Sequence, residues 1–214
     1  MLKTRTLMVA FLALWIVAAC SPRQAPTPMV QGTISTVAVI TPIPTACILQ
    51  PVITPTRPAK TPRSTELDPS TGLHMTGRPQ EIDLTSYRLR VTGKVDHPLS
   101  LTYDDLRCMP KIQTSDVLIC PGVFEDEANW AGASLMYILD TAGIHPGATN
   151  LALIGADNYS TSVTLQQART GKNHLAYEWE GKPLPILHGF PVRAVFPSLQ
   201  GNRWVKWLVE VQVE

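Results

Sequence analysis

The sequence predicts an α+β domain that is mostly β. Segments of alternating apolar and polar residues recur from Tyr87 to the C-terminus. The few helical segments are short and do not alternate strictly with the strands, which argues against a doubly wound α/β sheet. A long Pro/Thr-rich stretch precedes the domain and has no core of its own.

Each element has a local reason. Tyr87–Val95 alternates and reads as a strand. Thr102–Cys108 reads as a short helix with Thr102 as N-cap, stopped before Pro110. Gln113–Cys120 is a strand that enters a loop. Ser134–Ala142 is an amphipathic helix ended at Gly143. Asn150–Ile154 and Ser160–Leu165 are strands, with one helical turn over Leu165–Arg169. Leu175–Trp179, Val192–Phe196 and Trp204–Val213 complete the strands. No internal repeat is present.

The N-terminus reads as an export signal over residues 1–19. Lys3 and Arg5 precede an apolar run, Leu7–Ala19, that ends in small residues before Cys20. The run is about 13 residues long, against the roughly 20 that a spanning helix needs. A cysteine after two alanines reads as a lipobox, so Cys20 is the expected lipidation site on the outer face of a membrane. The competing reading is an ordinary signal peptide with an incidental cysteine, which would leave a soluble secreted protein. Residues 20–79 are expected to form a lipid-anchored tether, because prolines fix φ and remove backbone donors. The globular domain is then residues 80–214.

The formal charge of +1 hides an asymmetry. No Asp or Glu precedes Glu66, and from there on 12 Lys and Arg face 17 Asp and Glu. An acidic domain is a poor partner for nucleic acid. The chain has 4 cysteines. Cys47 lies in the expected tether and is expected to pack against nothing.

Several familiar sites are absent, among them a Gly-rich phosphate loop, Cys-x-x-Cys, His-Glu-x-x-His and Gly-x-Ser-x-Gly. Cys120 is the most informative residue. It ends a strand just before Pro121-Gly122, where a thiol can point into a cleft as a nucleophile or a soft metal ligand. It could equally be a buried small apolar residue, or pair with Cys108 in a disulfide, which export would permit.

The C-terminal third carries more. Leu175-Ala-Tyr-Glu leads to Gly181-Lys-Pro-Leu-Pro185. His188-Gly-Phe-Pro-Val-Arg193, Val195-Phe-Pro197, Gly201 and Val205-Lys-Trp207 follow. This series resembles the molybdopterin-binding catalytic domain of the sulfite oxidase family. Trp130-Ala-Gly-Ala-Ser-Leu135 and Asp157-Asn-Tyr159 resemble further parts of that domain, and the likeness covers about residues 80–214.

The resemblance implies a molybdopterin cofactor whose molybdenum is ligated by Cys120. It implies that Tyr177 stands beside the metal's exchangeable oxygen, where a phenol can donate and shed a proton. His188 and Arg193 match positions that bind the pterin and its phosphate, and Lys206 matches a further cofactor contact. Guanidinium suits phosphate because its planar fork binds in a bidentate way.

Each of these residues also has a plain structural reading. Tyr177 could be an amphipathic strand residue, and His188 could cap a turn. Arg193 and Lys206 could form ion pairs, and Trp130 and Trp207 read as core. His74, His97, His145 and His174 read as surface residues near turns.

Three departures from the family stand out. The upstream Arg-Asn-His segment, which supplies a substrate-facing arginine, has no match, and residues 66–86 offer only His74 and Arg78. The stretch after Cys120 carries Glu125, Asp126 and Glu127, which read as a solvated loop. If they faced the cleft, they would repel an anion such as sulfite or dock a basic carrier. There is also no haem or dimerisation domain in this chain, so turnover would need an external electron carrier such as a c-type cytochrome or a quinone-linked subunit. The expected function is a membrane-tethered molybdoenzyme that moves an oxygen atom on a small sulfur-containing substrate. The alternative is a cofactor-free binding lipoprotein on the same fold.

Overall fold

A computed structural model of the chain describes residues 47–169 and 172–214. The signal segment, Cys20 and the tether up to residue 46 lie outside the described residues. So do residues 170 and 171.

Two five-stranded sheets carry the fold. The first has the order β2 (Leu99–Leu101), β1 (Leu89–Gly93), β10 (Leu208–Val213), β5 (Asn150–Gly155) and β6 (Ser160–Thr164). Its β1–β10 pair is parallel and joins the two ends of the domain, with Val91 opposite Val211. The second has the order β3 (Lys111–Cys120), β4 (Phe124–Ser134), β7 (His174–Trp179) and β8 (Lys182–Pro183), with β9 (Arg193–Val195) also on β7. Three short helices connect the strands: α1 (Tyr103–Arg107), α2 (Leu135–Ala142) and α3 (Leu165–Arg169).

The helix signals read from sequence hold in detail. The Thr102 side chain accepts from the Asp105 N–H, and Asp105 answers with its own carboxylate to the Thr102 N–H, a reciprocal capping box. Ser134 caps α2, and Gly143 ends it at φ 67°. Leu135, Ile138, Leu139 and Ala142 turn inward at the helical period.

The stretch after Cys120 is not a loop. Pro121–Val123 is a tight turn, and Phe124–Ser134 is a long strand paired with β3 from Phe124 to Ala133. The core lies between the sheets and includes Leu89, Trp130, Leu153, Phe190 and Phe196.

The expected tether between residues 47 and 79 is not free of the domain. Cys47 forms a disulfide with Cys108 at the end of α1. This corrects both the solitary Cys47 and the Cys108–Cys120 alternative, and it leaves Cys120 as a free thiol. Leu67 bridges His74, while Leu73 and Met75 are buried. The packed part therefore reaches back past residue 80.

Candidate active site

The end of β3, the start of β4 and the segment after β9 enclose a cleft of about 200 Å³. Cys120, His188, Arg193 and Lys206 all line it, so four of the five candidate residues meet in one place. Tyr177 does not line it. Its ring packs edge-on against Tyr103 at 6.1 Å, with Lys111 Nζ 5.9 Å from the ring centroid, and burial pushes its phenol up to about 12. The phenol in the cleft belongs to Tyr159, which is 44% exposed and donates to the Asn202 carbonyl at 2.8 Å.

Local geometry explains the gathering. Cys120 pairs with Phe124 and Leu118 with Asp126, so strand alternation puts all four on one face. Asp126 is therefore buried rather than solvated, while Glu125 and Glu127 point to solvent. Gly189 adopts φ 113°, a region that favours glycine. A Cβ there would lie 3.0 Å from Arg193 Cβ and 3.3 Å from Lys206 Cα. That close approach brings His188, Arg193 and Lys206 together. Gly201 is similar, since a Cβ there would meet Leu118 Cδ2 at 2.6 Å.

Two cations sit on the cleft, and neither forms an ion pair among the described residues. Arg193 is 2% exposed; among the described residues it donates to the His188 and Trp204 carbonyls, at 3.3 and 3.5 Å, and its Nε has no partner. Its guanidinium lies 4.5 Å from the Trp130 ring centroid. Burial works against its charge, but a guanidinium stays protonated. Lys206 Nζ donates to the Thr76 and Leu187 carbonyls at 3.0 and 3.1 Å. Burial first, and then the Arg193 charge, pull its ammonium down to about 7.

His188 is also buried, and burial followed by the Lys206 charge pulls it down to about 3. It is a neutral imidazole at pH 7, so its contact with Asp68 is a hydrogen bond from Nε2–H to a carboxylate rather than an ion pair. The Nε2–Asp68 distance is 3.0 Å, and Thr71 Oγ1 lies equally close. This fixes the tautomer and leaves Nδ1 as an acceptor.

Sequence reasoning missed Asp68, His74, Asp126 and Tyr159. His74 lines the cleft, stacks on Phe124 at 4.5 Å and places Nδ1 2.6 Å from Asp126. His174, expected at the surface, is fully buried. Trp130 and Trp207 are core residues, as expected, and both also line the cleft.

These residues fit a phosphate-bearing metal cofactor. Among the described residues, Arg193 Nε and Trp130 Nε1 are buried donors without partners, and burying such groups is costly unless something accepts from them. Among the described residues no group of three or more His, Cys, Asp or Glu could hold a metal alone. A metal at Cys120 would therefore need its remaining ligands from a cofactor.

The comparisons with known proteins agree. Residues 75–214 match the family model described as oxidoreductase molybdopterin binding domain. The chain is 32% identical over 141 residues to an uncharacterised oxidoreductase, YuiH, of Bacillus subtilis, covering 65% of this chain and 71% of that protein. It is 36% identical over 163 residues to mitochondrial sulfite oxidase of Rattus norvegicus, covering 62% of this chain but 30% of that protein. The crystal structure of the sulfane dehydrogenase SoxCD from Paracoccus pantotrophus superposes with a TM-score of 0.60 at 26% identity, over 63% of this chain and 40% of that one. The chain thus spans less than half of the last two. With the cleft and its cations in place, the match over residues 75–214 makes this chain a member of the molybdopterin-binding oxidoreductase family, of the sulfite oxidase type.

Proposed function

We propose that the chain is a membrane-tethered, molybdopterin-dependent oxidoreductase. It would transfer an oxygen atom to or from a small sulfur-containing substrate and exchange electrons with an external carrier, a c-type cytochrome or a quinone-linked subunit. The observation that carries this reading is the free Cys120 thiol in a cleft walled by the buried Arg193 and the half-buried Lys206, neither of which is in an ion pair among the described residues.

Cys120 would ligate the molybdenum. Arg193 and Lys206 would hold the phosphate, with Trp130 Nε1 as a further donor. His188 Nδ1 would accept from the pterin. When bound, the cofactor supplies oxygen-atom and two-electron chemistry. The protein supplies position and proton control. Tyr159, rather than Tyr177, offers a phenol at the substrate side, and the hydrogen bond to the Asn202 carbonyl holds it there. The exported, lipid-anchored location is supported by the lipobox at Cys20 and by the Cys47–Cys108 disulfide, a bond that persists in oxidising compartments.

A second reading is a cofactor-free binding lipoprotein. It is favoured by the partners that His188 and Lys206 already have within the chain. Molybdenum per chain, measured by elemental analysis on protein from a molybdate-supplied host, separates the two. Near-stoichiometric metal in the wild type, lost in Cys120→Ser, is the expected result. No metal in either protein would overturn the enzyme reading.

A further inference from the structure

The β3–β4 hairpin has two faces. One ends in Cys120 and lines the cleft. The other carries Val117 and Ile119, which are 39% and 43% exposed, and beyond them in the turn Val123 is 56% exposed. Their cross-strand neighbours are acids, Val117 opposite Glu127 and Ile119 opposite Glu125, both exposed. The acids on this face are Glu125 and Glu127, residues 112–129 contain no Lys or Arg, and Asp116 and Asp126 lie on the opposite, Cys120 face. Glu180 extends the acidic row, held by the N–H and side-chain amide of Asn129 at 2.7 and 3.0 Å. Lys111, at the far end of β3, is occupied by Glu178 at 2.6 Å.

Three neighbouring aliphatic side chains left in water beside a row of acids form an interaction surface rather than scattered exposure. The aliphatics offer a contact that excludes water, and the acids steer a partner of opposite charge. The position matters as much as the composition. Ile119 and Cys120 are adjacent in one strand and point to opposite faces. A partner seated on Val117 and Ile119 is therefore one strand's thickness from the thiol.

We infer that this face docks a small basic electron carrier, with its cationic rim against Glu125 and Glu127 and its apolar redox edge on Val117, Ile119 and Val123. The inference rests on the redox reading of the Cys120 cleft. In the oxidising direction the substrate sulfur gains one oxygen from water, two protons are released, and two electrons leave to two carrier molecules, one to each. In the reducing direction the oxygen departs as water, with two protons and one electron from each of two carriers.

The test is an amide NMR titration of the molybdenum-loaded chain with mitochondrial cytochrome c, a basic haem protein. Lysozyme, basic but without redox function, serves as the comparison. The expected result is a set of shifts confined to residues 117–127. Affinity should fall roughly tenfold or more in the Glu125→Lys/Glu127→Lys variant and with added salt. Lysozyme should bind at least roughly tenfold more weakly, because charge alone does not supply the apolar contact. Val117→Ser/Ile119→Ser should weaken cytochrome binding and leave the salt dependence in place. Shifts elsewhere, an unchanged affinity in the charge-reversal variant, or equal binding of lysozyme would each overturn the docking surface. Metal content of the same sample is scored separately. Metal present with binding elsewhere removes this surface and leaves the enzyme reading intact. Metal absent removes that reading, and with it the carrier.

Discussion

One carboxylate oxygen of Asp68 lies 3.0 Å from Nε2 of His188, and both side chains are shut away from water. Burial works against the Asp68 charge, but hydrogen bonds from the Ser70 N–H and hydroxyl outweigh it and hold the carboxyl below its ordinary range. A residue of the segment before the domain thus orients a residue of the cleft, 120 positions away. Asp68→Ala should lower the unfolding free energy of the cofactor-free protein by about 1–3 kcal/mol, because it removes the charged acceptor of a buried imidazole donor and leaves it only the Thr71 hydroxyl. Asp68→Asn keeps an accepting oxygen and should lose less than half as much. Urea denaturation measures both, and equal stability of the alanine variant and the wild type would make the contact passive.

The Cys47–Cys108 bond closes a loop with a sequence separation of 61. Cross-linking removes unfolded-chain entropy, and a loop of that length corresponds to roughly 4 kcal/mol in the chain-entropy model. Reduction, or the Cys47→Ala/Cys108→Ala pair, should lower the denaturation midpoint accordingly. The Cys120 thiol should label at the same rate in both forms. A midpoint that does not respond to reductant would show that the 47–79 segment holds by packing alone.

Lys206 and His188 set a pH dependence. Lys206 has a folded value of about 7 against an ordinary 10.5. Between those values the unfolded chain binds the proton more tightly, so stability rises with pH. His188, at about 3 against an ordinary 6.5, works in the same sense on the acid side. Its neutral form is favoured by folding, so stability is lost as pH falls from 6.5 toward 3. Thermal melts of the cofactor-free protein should therefore improve from pH 7 to 9.5, by roughly 2–4 kcal/mol at most. Lys206→Met should remove that gain. Added pyrophosphate should stabilise the wild type near pH 7, because an anion relieves the unpaired charge of Lys206 and Arg193. A melting curve that is flat with pH, or a wild type indifferent to the anion, would contradict this picture of the cleft.

Much of this was legible from residue order alone. Thr102 and Ser134 cap helices where hydroxyl residues precede an apolar period, and the strands follow alternation because each buries one face. His188, Arg193 and Lys206 converge because Gly189 lets their backbones approach closely, whereas Cys120 reaches them from the end of β3, a long-range meeting that the family resemblance and not local spacing pointed to. The errors came from long-range pairing. Glu125-Asp126-Glu127 reads as a charged loop until β4 is known to pair with β3. Only then does alternation turn Asp126 inward, onto the Cys120 face. Leu73-His74-Met75 has the same character, with Leu73 and Met75 buried and Leu73 and His74 both on the cleft. The Cys47–Cys108 bond was hidden because proline content gives the stiffness of a segment and says nothing of where it lies.

The two tyrosines give the sharpest test of the site. Both stand near motifs that resemble the family, but Tyr159 lines the cleft and Tyr177 packs beside Tyr103 and Lys111. A phenol that donates to, or takes a proton from, the reacting oxygen contributes roughly 10²–10⁴-fold to turnover. Tyr159→Phe should therefore lower kcat of the loaded enzyme by roughly 10²-fold or more, with molybdenum content and melting temperature unchanged. Tyr177→Phe removes only a hydroxyl outside the cleft and should leave kcat within about twofold. Tyr177→Ala should instead destabilise the protein by about 2–4 kcal/mol, because it empties packed volume between β7 and α1. If Tyr177→Phe abolished turnover and Tyr159→Phe did not, the phenol in the cleft would be a bystander, and the reacting oxygen would have to lie on the other side of β7.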